Sequence, residues 1–299
     1  MIKLRANTLG VVLAVLGVVL FSAKAIMVKL AYHYEIDSVS LLLLRMLFSL
    51  PVYVVIAFVT RKQTHQSIKK TDYLWLVFFG FVGYYLASYF DFEGLQYIKA
   101  GLERIILFVY PTLVLIISRL FLKTKISRIQ IFAIFLTYLG VLTAFSGELD
   151  LSSENLYLGV GLIFMSALTY AMYLVGSGWL IPKFGVVRFT SYAMIISTVC
   201  VLLHYIFTHE VDLLGYPQEV YYLGVGMAIL STIIPSFMVS KSIELIGSSN
   251  FSIIASIGPI STILLAYIVL GEQLNTSQLI GTIIVIVGVS LVSRKAKKN

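Results

Sequence analysis

Ten apolar runs, each close to the roughly 20 residues that an α-helix needs to cross a bilayer, decide what this chain can fold into. They lie at 8–31, 38–60, 73–92, 100–119, 127–146, 156–179, 189–207, 220–241, 250–270 and 276–293, separated by charges or by Gly, Pro and Asn. In hydrocarbon every backbone N–H and C=O must be satisfied internally, so each run is expected as a helix. A membrane β-barrel is excluded, because the runs are continuous rather than alternating segments of about ten residues. Only 12% of the 299 residues are charged, against about a quarter in soluble domains, and mean hydropathy is +0.96. Such a chain cannot cover a water-facing surface with polar groups, which excludes a soluble enzyme and an intrinsically disordered protein. The expected fold is an all-α membrane protein with ten transmembrane helices.

The first run imitates a cleavable signal, with Lys3 and Arg5 ahead of it and Ala23-Lys24-Ala25 within it. It continues to Ala31, a full spanning length, and is read as a retained helix. Orientation follows from the loops. Of the 22 basic residues, 17 fall in one alternate set of loops and ends: Lys3, Arg5, Arg61, Lys62, Lys69, Lys70, Arg119, Lys123, Lys125, Arg128, Lys183, Arg188, Lys241, Arg294, Lys295, Lys297 and Lys298. The opposite set carries Glu35, Asp37, Glu148, Asp150, Glu154, Glu210, Asp212, Glu219 and Glu272. Both termini are therefore expected on the cytoplasmic side. The net charge of +8 is mostly a topology signal, and its spread over six small loops argues against nucleic-acid binding.

An internal repeat appears when the chain is slid on itself by 148 residues. Ile98 falls on Ile246, Ile105-Ile106 on Ile253-Ile254, Pro111 on Pro259, Leu122 on Leu270, Gln130 on Gln278 and Gly140-Val141 on Gly288-Val289. Leu9-Gly10-Val11 matches Leu158-Gly159-Val160 at 149. The chain thus divides into 1–148 and 149–299, five spans each. An odd number starts the second copy on the other side of the membrane, so the repeats are inverted, an arrangement suited to alternating access.

Within the spans, polar stripes and buried charges mark the candidate site. Ser166, Tyr170, Tyr173 and Ser177 share one helical face in span 6, as do Thr232, Ser236 and Ser240 in span 8. The repeat maps the latter onto Tyr84, Ser88 and Phe92 of span 3, which also carries Tyr85 and Tyr89. Ser249, Ser252 and Ser256 precede Pro259 in span 9. These stripes suit either close helix packing or a wet cavity, although the bulk of Tyr170 and Tyr173 does not favour close approach. Pro111, Pro235 and Pro259 each remove a helical hydrogen bond, freeing the carbonyls of Leu107, Ser231 and Ala255.

A lone ion in a span costs about 2.5 to 3.5 kcal/mol on insertion scales, so the charges there are the sharpest signal. Lys24 and Arg45 each lie roughly 6 Å to the outer side of the midplane. Lys29, five residues after Lys24, is turned about 140° from it, so one cation is expected to face inward and the other to snorkel outward. Asp91, Glu93, Lys99, Glu103 and Arg104 cluster near the same outer ends, with Lys99 and Glu103 on one face. The second repeat offers Lys241 and Glu244 on one face near the inner side. Two readings stay open. The eight outer charges form an ion-pair network that locks the mouth, with Arg45 as an anchor. Alternatively, their excess of two positive charges receives an anionic group such as a carboxylate, while Glu93 or Glu103 exchanges partners or protons. Span 1 has no acidic residue, which disfavours a cationic drug.

Leu270-Gly271-Glu272-Gln273-Leu274 with Gln278, Gly281 and Gly288-Val289, the paired Tyr110-Pro111 and Gly258-Pro259, Arg45, and Gly94-Leu95-Gln96-Tyr97 with Ala100 together resemble the EamA-type members of the drug/metabolite transporter superfamily. The resemblance covers nearly the whole chain. It departs at Lys123-Thr124, where many members repeat Gly-Glu. It implies a ten-helix permease of a cell membrane, here a bacterial inner membrane, with a central cavity lined mainly by helices 1, 3, 4, 6, 8 and 9, often an exporter of amino acids or related metabolites.

The substrate-binding candidates are Lys24, Arg45, Tyr85, Ser88, Tyr89, Glu93, Glu103, Arg104, Tyr170, Tyr173, Ser236, Ser252 and Ser256, with Pro111, Pro235 and Pro259 as hinge or gating positions. An integral membrane enzyme or a non-transporting subunit are the alternatives. His33, His65, His204 and His209 show no metal spacing, the lone Cys200 forms no cluster, and there is no HExxH, GxSxG or GxxxxGK[ST] motif. No enzyme activity, cofactor or metal is therefore expected, and transport would draw on a gradient, with protons as a possible coupling ion.

Overall fold

The computed structural model describes residues 2–60, 68–98, 100–144, 146, 155–208, 213–270 and 275–296, and among them every regular element is helical. In chain order the helices are α1 (Ile2–Tyr32), α2 (Ser38–Thr60), α3 (Lys70–Tyr97), α4 (Ala100–Leu107 with Tyr110–Phe121), α5 (Arg128–Ala144), α6 (Leu156–Phe184), α7 (Val186–Thr208), α8 (Gln218–Ile246), α9 (Ser248–Ile254, Ala255–Ile257 and Gly258–Leu270) and α10 (Thr276–Ala296). Seven of them, α1, α2, α3, α6, α7, α8 and α9, are long and apolar enough to cross a membrane. The apolar stretches of α4, α5 and α10 are shorter, at Ile105–Phe121, Arg128–Ala144 and Thr276–Val292. Lys3, Arg5, Lys99, Arg104, Arg294 and Lys295 have side chains outside the described residues, as do 61–67, 147–154, 209–212, 271–274 and 297–299 entirely.

Local chemistry sets the helix ends. Asp37 Oδ1 accepts the Val39 and Ser40 N–H groups, 2.9 Å each, capping α2. Gly185 and Gly247, at φ of 78° and 80°, turn the chain out of α6 and α8 straight into the next helix, a conformation that side chains with a Cβ resist. Outward-facing side chains are apolar: Phe58, Leu74, Phe135, Ile268 and Ile283 are 61% to 72% exposed, as suits contact with lipid rather than water.

Helix pairing repeats through the chain. α5 packs on α10 and α2 on α7; α1 packs on α8 as α6 packs on α3, and α1 on α9 as α6 on α4. The correspondence reaches single residues. A Cβ on Gly10 would lie 2.7 Å from Ile246 and 2.9 Å from Leu245, and one on Gly159 would lie 2.6 Å from Ile98 and 3.0 Å from Tyr97. These are the same positions 148 or 149 residues on. Lipid gives no hydrophobic drive between helices, so such close approaches through glycine supply the packing energy instead.

The irregularities repeat as well. A π-helical segment interrupts α3 at Phe81–Leu86 and another interrupts α8 at Ile229–Ile233, starting 148 residues later. α4 breaks at 108–109 ahead of Tyr110-Pro111, and α9 tightens into a 3-10 turn, Ala255–Ile257, ahead of Gly258-Pro259. A mid-helix proline explains the second pair. The π segments match the known tendency of such bulges to sit at functional sites.

Candidate functional site

The interrupted helices surround a cavity of about 120 Å³, room for several waters or a small solute. α1, α2, α3, α4, α6, α8 and α9 all contribute to its wall. All four irregular segments reach it: Gly83 and Tyr84 from the α3 π segment, Ser231 and Thr232 from that of α8, Phe108 from the α4 break and Ala255 from the α9 turn. Ser22, Ser88, Tyr110, Ser166 and Tyr170 add polar groups, and Val18, Phe21 and Leu107 apolar ones.

Charge lies on one part of this wall. Lys24 of α1 forms an ion pair with Asp91 of α3, whose side chain is 2% exposed. Arg45 of α2, also 2% exposed, donates from Nη2 to Ser88 Oγ at 3.0 Å, while its Nε has no hydrogen-bond partner. Both cations lie over the Phe92 ring, the Arg45 guanidinium carbon 5.1 Å and Lys24 Nζ 5.8 Å from its centre. Among the described residues, Lys24, Arg45 and Asp91 are the charged ones lining the cavity, and together they give it one net positive charge.

A chain of tyrosines borders the site. Tyr84 meets Tyr173 edge-on at 4.8 Å and Tyr110 meets Tyr170 at 5.5 Å; Tyr170 and Tyr173 stack at 6.4 Å. The Tyr173 ring packs directly on Gly83, where a Cβ would overlap it, so Tyr173 supports the cavity from behind.

Of the sequence candidates with described side chains, Lys24, Arg45, Ser88, Tyr170 and Pro259 line the cavity, and the others do not. Tyr85 hydrogen bonds His204 Nδ1 at 3.2 Å, and Tyr89 meets the same ring edge-on at 4.8 Å. Glu93 accepts Ser38 Oγ at 2.5 Å and Tyr97 Oη at 3.0 Å, tying α2 to the end of α3. Glu103 is fully buried within electrostatic reach of Lys29, and the Arg104 side chain is outside the described residues. Ser236 bonds Tyr53 Oη at 2.8 Å, and Ser252 bonds the Ser249 carbonyl at 3.0 Å. Ser256, Pro111 and Pro235 are buried beside cavity-lining neighbours.

Two expectations need correction. Lys29 does not snorkel outward; it donates to the Leu95 and Ile98 carbonyls at 2.8 and 3.3 Å, satisfying the orphan acceptors at the end of α3. Leu107, Ser231 and Ala255 do line the cavity, but the Ala255 carbonyl is not free, because the 3-10 turn brings the Gly258 N–H onto it. Lys241 and Glu244 pair as their three-residue spacing suggests.

The polar stripes and the repeat brought Ser166, Thr232 and Tyr84 into view and the charge cluster brought in Asp91, but none was chosen as a binding residue; Ser22, Tyr110 and Ser231 were also not chosen, although all seven line the cavity. Sequence reasoning also missed Lys183 Nζ pairing with Asp72 at 2.6 Å, which joins the start of α3 to the end of α6.

Apolar helices enclosing a polar, charged cavity walled from both halves of the chain define a multi-pass membrane protein built to hold a small solute. The EamA-like transporter family matches the chain twice, at residues 8–146 and 157–294, and the chain belongs to that family. It is 30% identical over 285 residues to "Uncharacterized transporter YcbK" of Bacillus subtilis (strain 168), spanning 93% of this chain and 91% of that protein. Over 320 residues it is 24% identical to "Uncharacterized transporter sll1319" of Synechocystis sp., spanning 97% and 94%. A solved structure titled "Crystal structure of protein" shares the fold, with a TM-score of 0.78 at 13% identity over 97% of this chain and 98% of that one. A membrane transporter role follows from the family.

Proposed function

We propose that the protein is a secondary transporter that exports a small polar metabolite bearing a carboxylate, an amino acid or a related compound, by alternating access. All ten helices cross the inner membrane, both termini are cytoplasmic, and residues 1–148 and 149–299 form inverted five-helix repeats. The carrying observation is that the four helix irregularities, matched in pairs 148 residues apart, all border one cavity. Repeats related in this way exchange conformations, so the weak points of α3 and α4 and those of α8 and α9 would flex in turn to open opposite sides. Arg45 is the candidate carboxylate ligand, because its guanidinium keeps its charge in any environment and matches a carboxylate with two parallel hydrogen bonds. Lys24 and Ser88 flank it, and Tyr170 shapes the remainder.

Saturable flux of carboxylate metabolites in proteoliposomes tests this reading, with Lys24→Ala and Arg45→Ala as variants. Transport that collapses in both, with folded protein in the vesicles, supports it. Wild-type rates at normal expression in both variants overturn it.

A further inference from the structure

We infer that the transported solute is a net monoanion, a compound whose carboxylate has no compensating ammonium group, so that among relatives of the amino acids the hydroxy acids or N-acylated forms fit better than the zwitterions. This rests on the transporter reading and narrows its substrate.

Among the described residues, three charged side chains face the cavity, and their balance decides what else can enter. Lys24 and Asp91 neutralise each other in the wall. Asp91 is also within electrostatic reach of Arg45, so one carboxylate faces two cations; Arg45 has Ser88 as its hydrogen-bonded partner, an unpartnered Nε and 2% exposure. A carboxylate placed against Arg45 brings the occluded cavity to neutrality. A zwitterion adds no net charge, so the wall's single positive charge stays uncompensated, and its ammonium meets a wall whose one carboxylate already holds Lys24. In surroundings of low dielectric an uncompensated charge is far more costly than in water, and alternating access requires the loaded cavity to close. Ser22, Ser166 and Thr232 donate their hydroxyl protons to backbone carbonyls, which leaves their lone pairs to accept from a solute hydroxyl or amide N–H without charge.

Matched pairs that differ only in ammonium against hydroxyl isolate the effect: alanine and lactate, leucine and 2-hydroxyisocaproate, phenylalanine and phenyllactate. Each competes for uptake into proteoliposomes, with leak in protein-free vesicles subtracted. For the best-transported pair, half-saturation by the hydroxy acid is expected at a concentration at least tenfold lower than for the amino acid. Arg45→Gln, which brings the wall to zero, should erase that preference. Asp91→Asn, which brings it to two positive charges, should widen it. The double variant Lys24→Met with Asp91→Asn keeps one positive charge and should keep the preference, at a reduced rate. Thermal unfolding in detergent confirms that each variant is folded. An amino acid that outcompetes its hydroxy acid in the best pair overturns the inference while leaving the transporter reading intact, and so does a preference unchanged in both Arg45→Gln and Asp91→Asn. Absence of saturable flux for every pair with folded protein overturns both.

Discussion

The two halves of the chain share a backbone but not a chemistry. The π segments of α3 and α8, the breaks of α4 and α9, and the Gly10 and Gly159 contacts recur at corresponding positions. The cavity charges do not. Lys24 corresponds to Tyr173, Asp91 to Val239, and Arg45 to the apolar pair Ala193 and Met194; of the central residues only Ser88 finds its like, in Ser236. Even these two serines differ in use, since Ser88 holds Arg45 and Ser236 holds Tyr53. On the proposed reading, movement is shared between the halves while recognition of the carboxylate is confined to one.

That division can be broken from the charged side first. Arg45→Gln should lower kcat/KM for a carboxylate substrate about 100-fold, or roughly 2.7 kcal/mol, in the range of a lost charge-assisted bidentate contact. Met194→Gln, at the corresponding place in the second half, should leave KM within threefold, because Met194 is buried outside the cavity wall. Concentration-dependent uptake in vesicles measures both. Equal losses would mean that recognition is spread over the two halves.

The shared framework is tested by an equal insult to both copies. Gly10→Val and Gly159→Val push a side chain into Ile246 and Ile98 respectively, and overpacking of this kind costs about 1 to 3 kcal/mol. The two variants should lose similar amounts of thermal stability in detergent. Destabilisation confined to one would show that the contacts, though alike in geometry, are not alike in load.

A finer test uses the serines. Ser88→Ala removes the hydroxyl that accepts from Arg45 Nη2, so a loss near 1 kcal/mol, about a fivefold rise in KM, is expected. Ser236→Ala removes a hydroxyl shared by Tyr53 and the Ile233 carbonyl, so stability should fall by a similar amount with KM unchanged. A KM effect from Ser236→Ala would bring the second half into recognition.

Much of this was legible in advance, and the remainder was hidden for definite reasons. Apolar length announced the helices, and Pro111 and Pro259 announced the breaks, because a missing N–H is visible in the residue itself. The π segment of α3 carries no such mark, since Phe81–Leu86 contains one glycine and no proline, whereas Ile229–Ile233 is followed two residues on by Pro235. Counting along the spans placed Lys24 and Arg45 in the outer half but could not choose partners for them. Asp91, Glu93 and Glu103 lay within reach as candidates, and only the packing of α1 against α3 selected Asp91. Likewise Tyr85 and Tyr89 share a helix with Ser88 yet turn toward α7 and His204.

Lys29 offers the smallest and sharpest test of where recognition ends. It stands five residues from Lys24, carries the same charge, and would be grouped with it by composition alone. Its ammonium is engaged by the Leu95 and Ile98 carbonyls, and it does not line the cavity. A cation at a helix C-terminus contributes about 0.3 to 1 kcal/mol through the helix dipole and the orphan carbonyls. Lys29→Met keeps the apolar stem, so it should lower stability by at least that much, because buried Glu103 also loses a nearby cation, and speed hydrogen exchange in the last turn of α3, with KM and the preference for anions unchanged. The counterpart in the second half is Gly178, which has no side chain to lose, so the cap belongs to the C-terminal end of α3 alone. A tenfold rise in KM from Lys29→Met would extend the recognition site to the outer mouth and make the charge on its wall two rather than one.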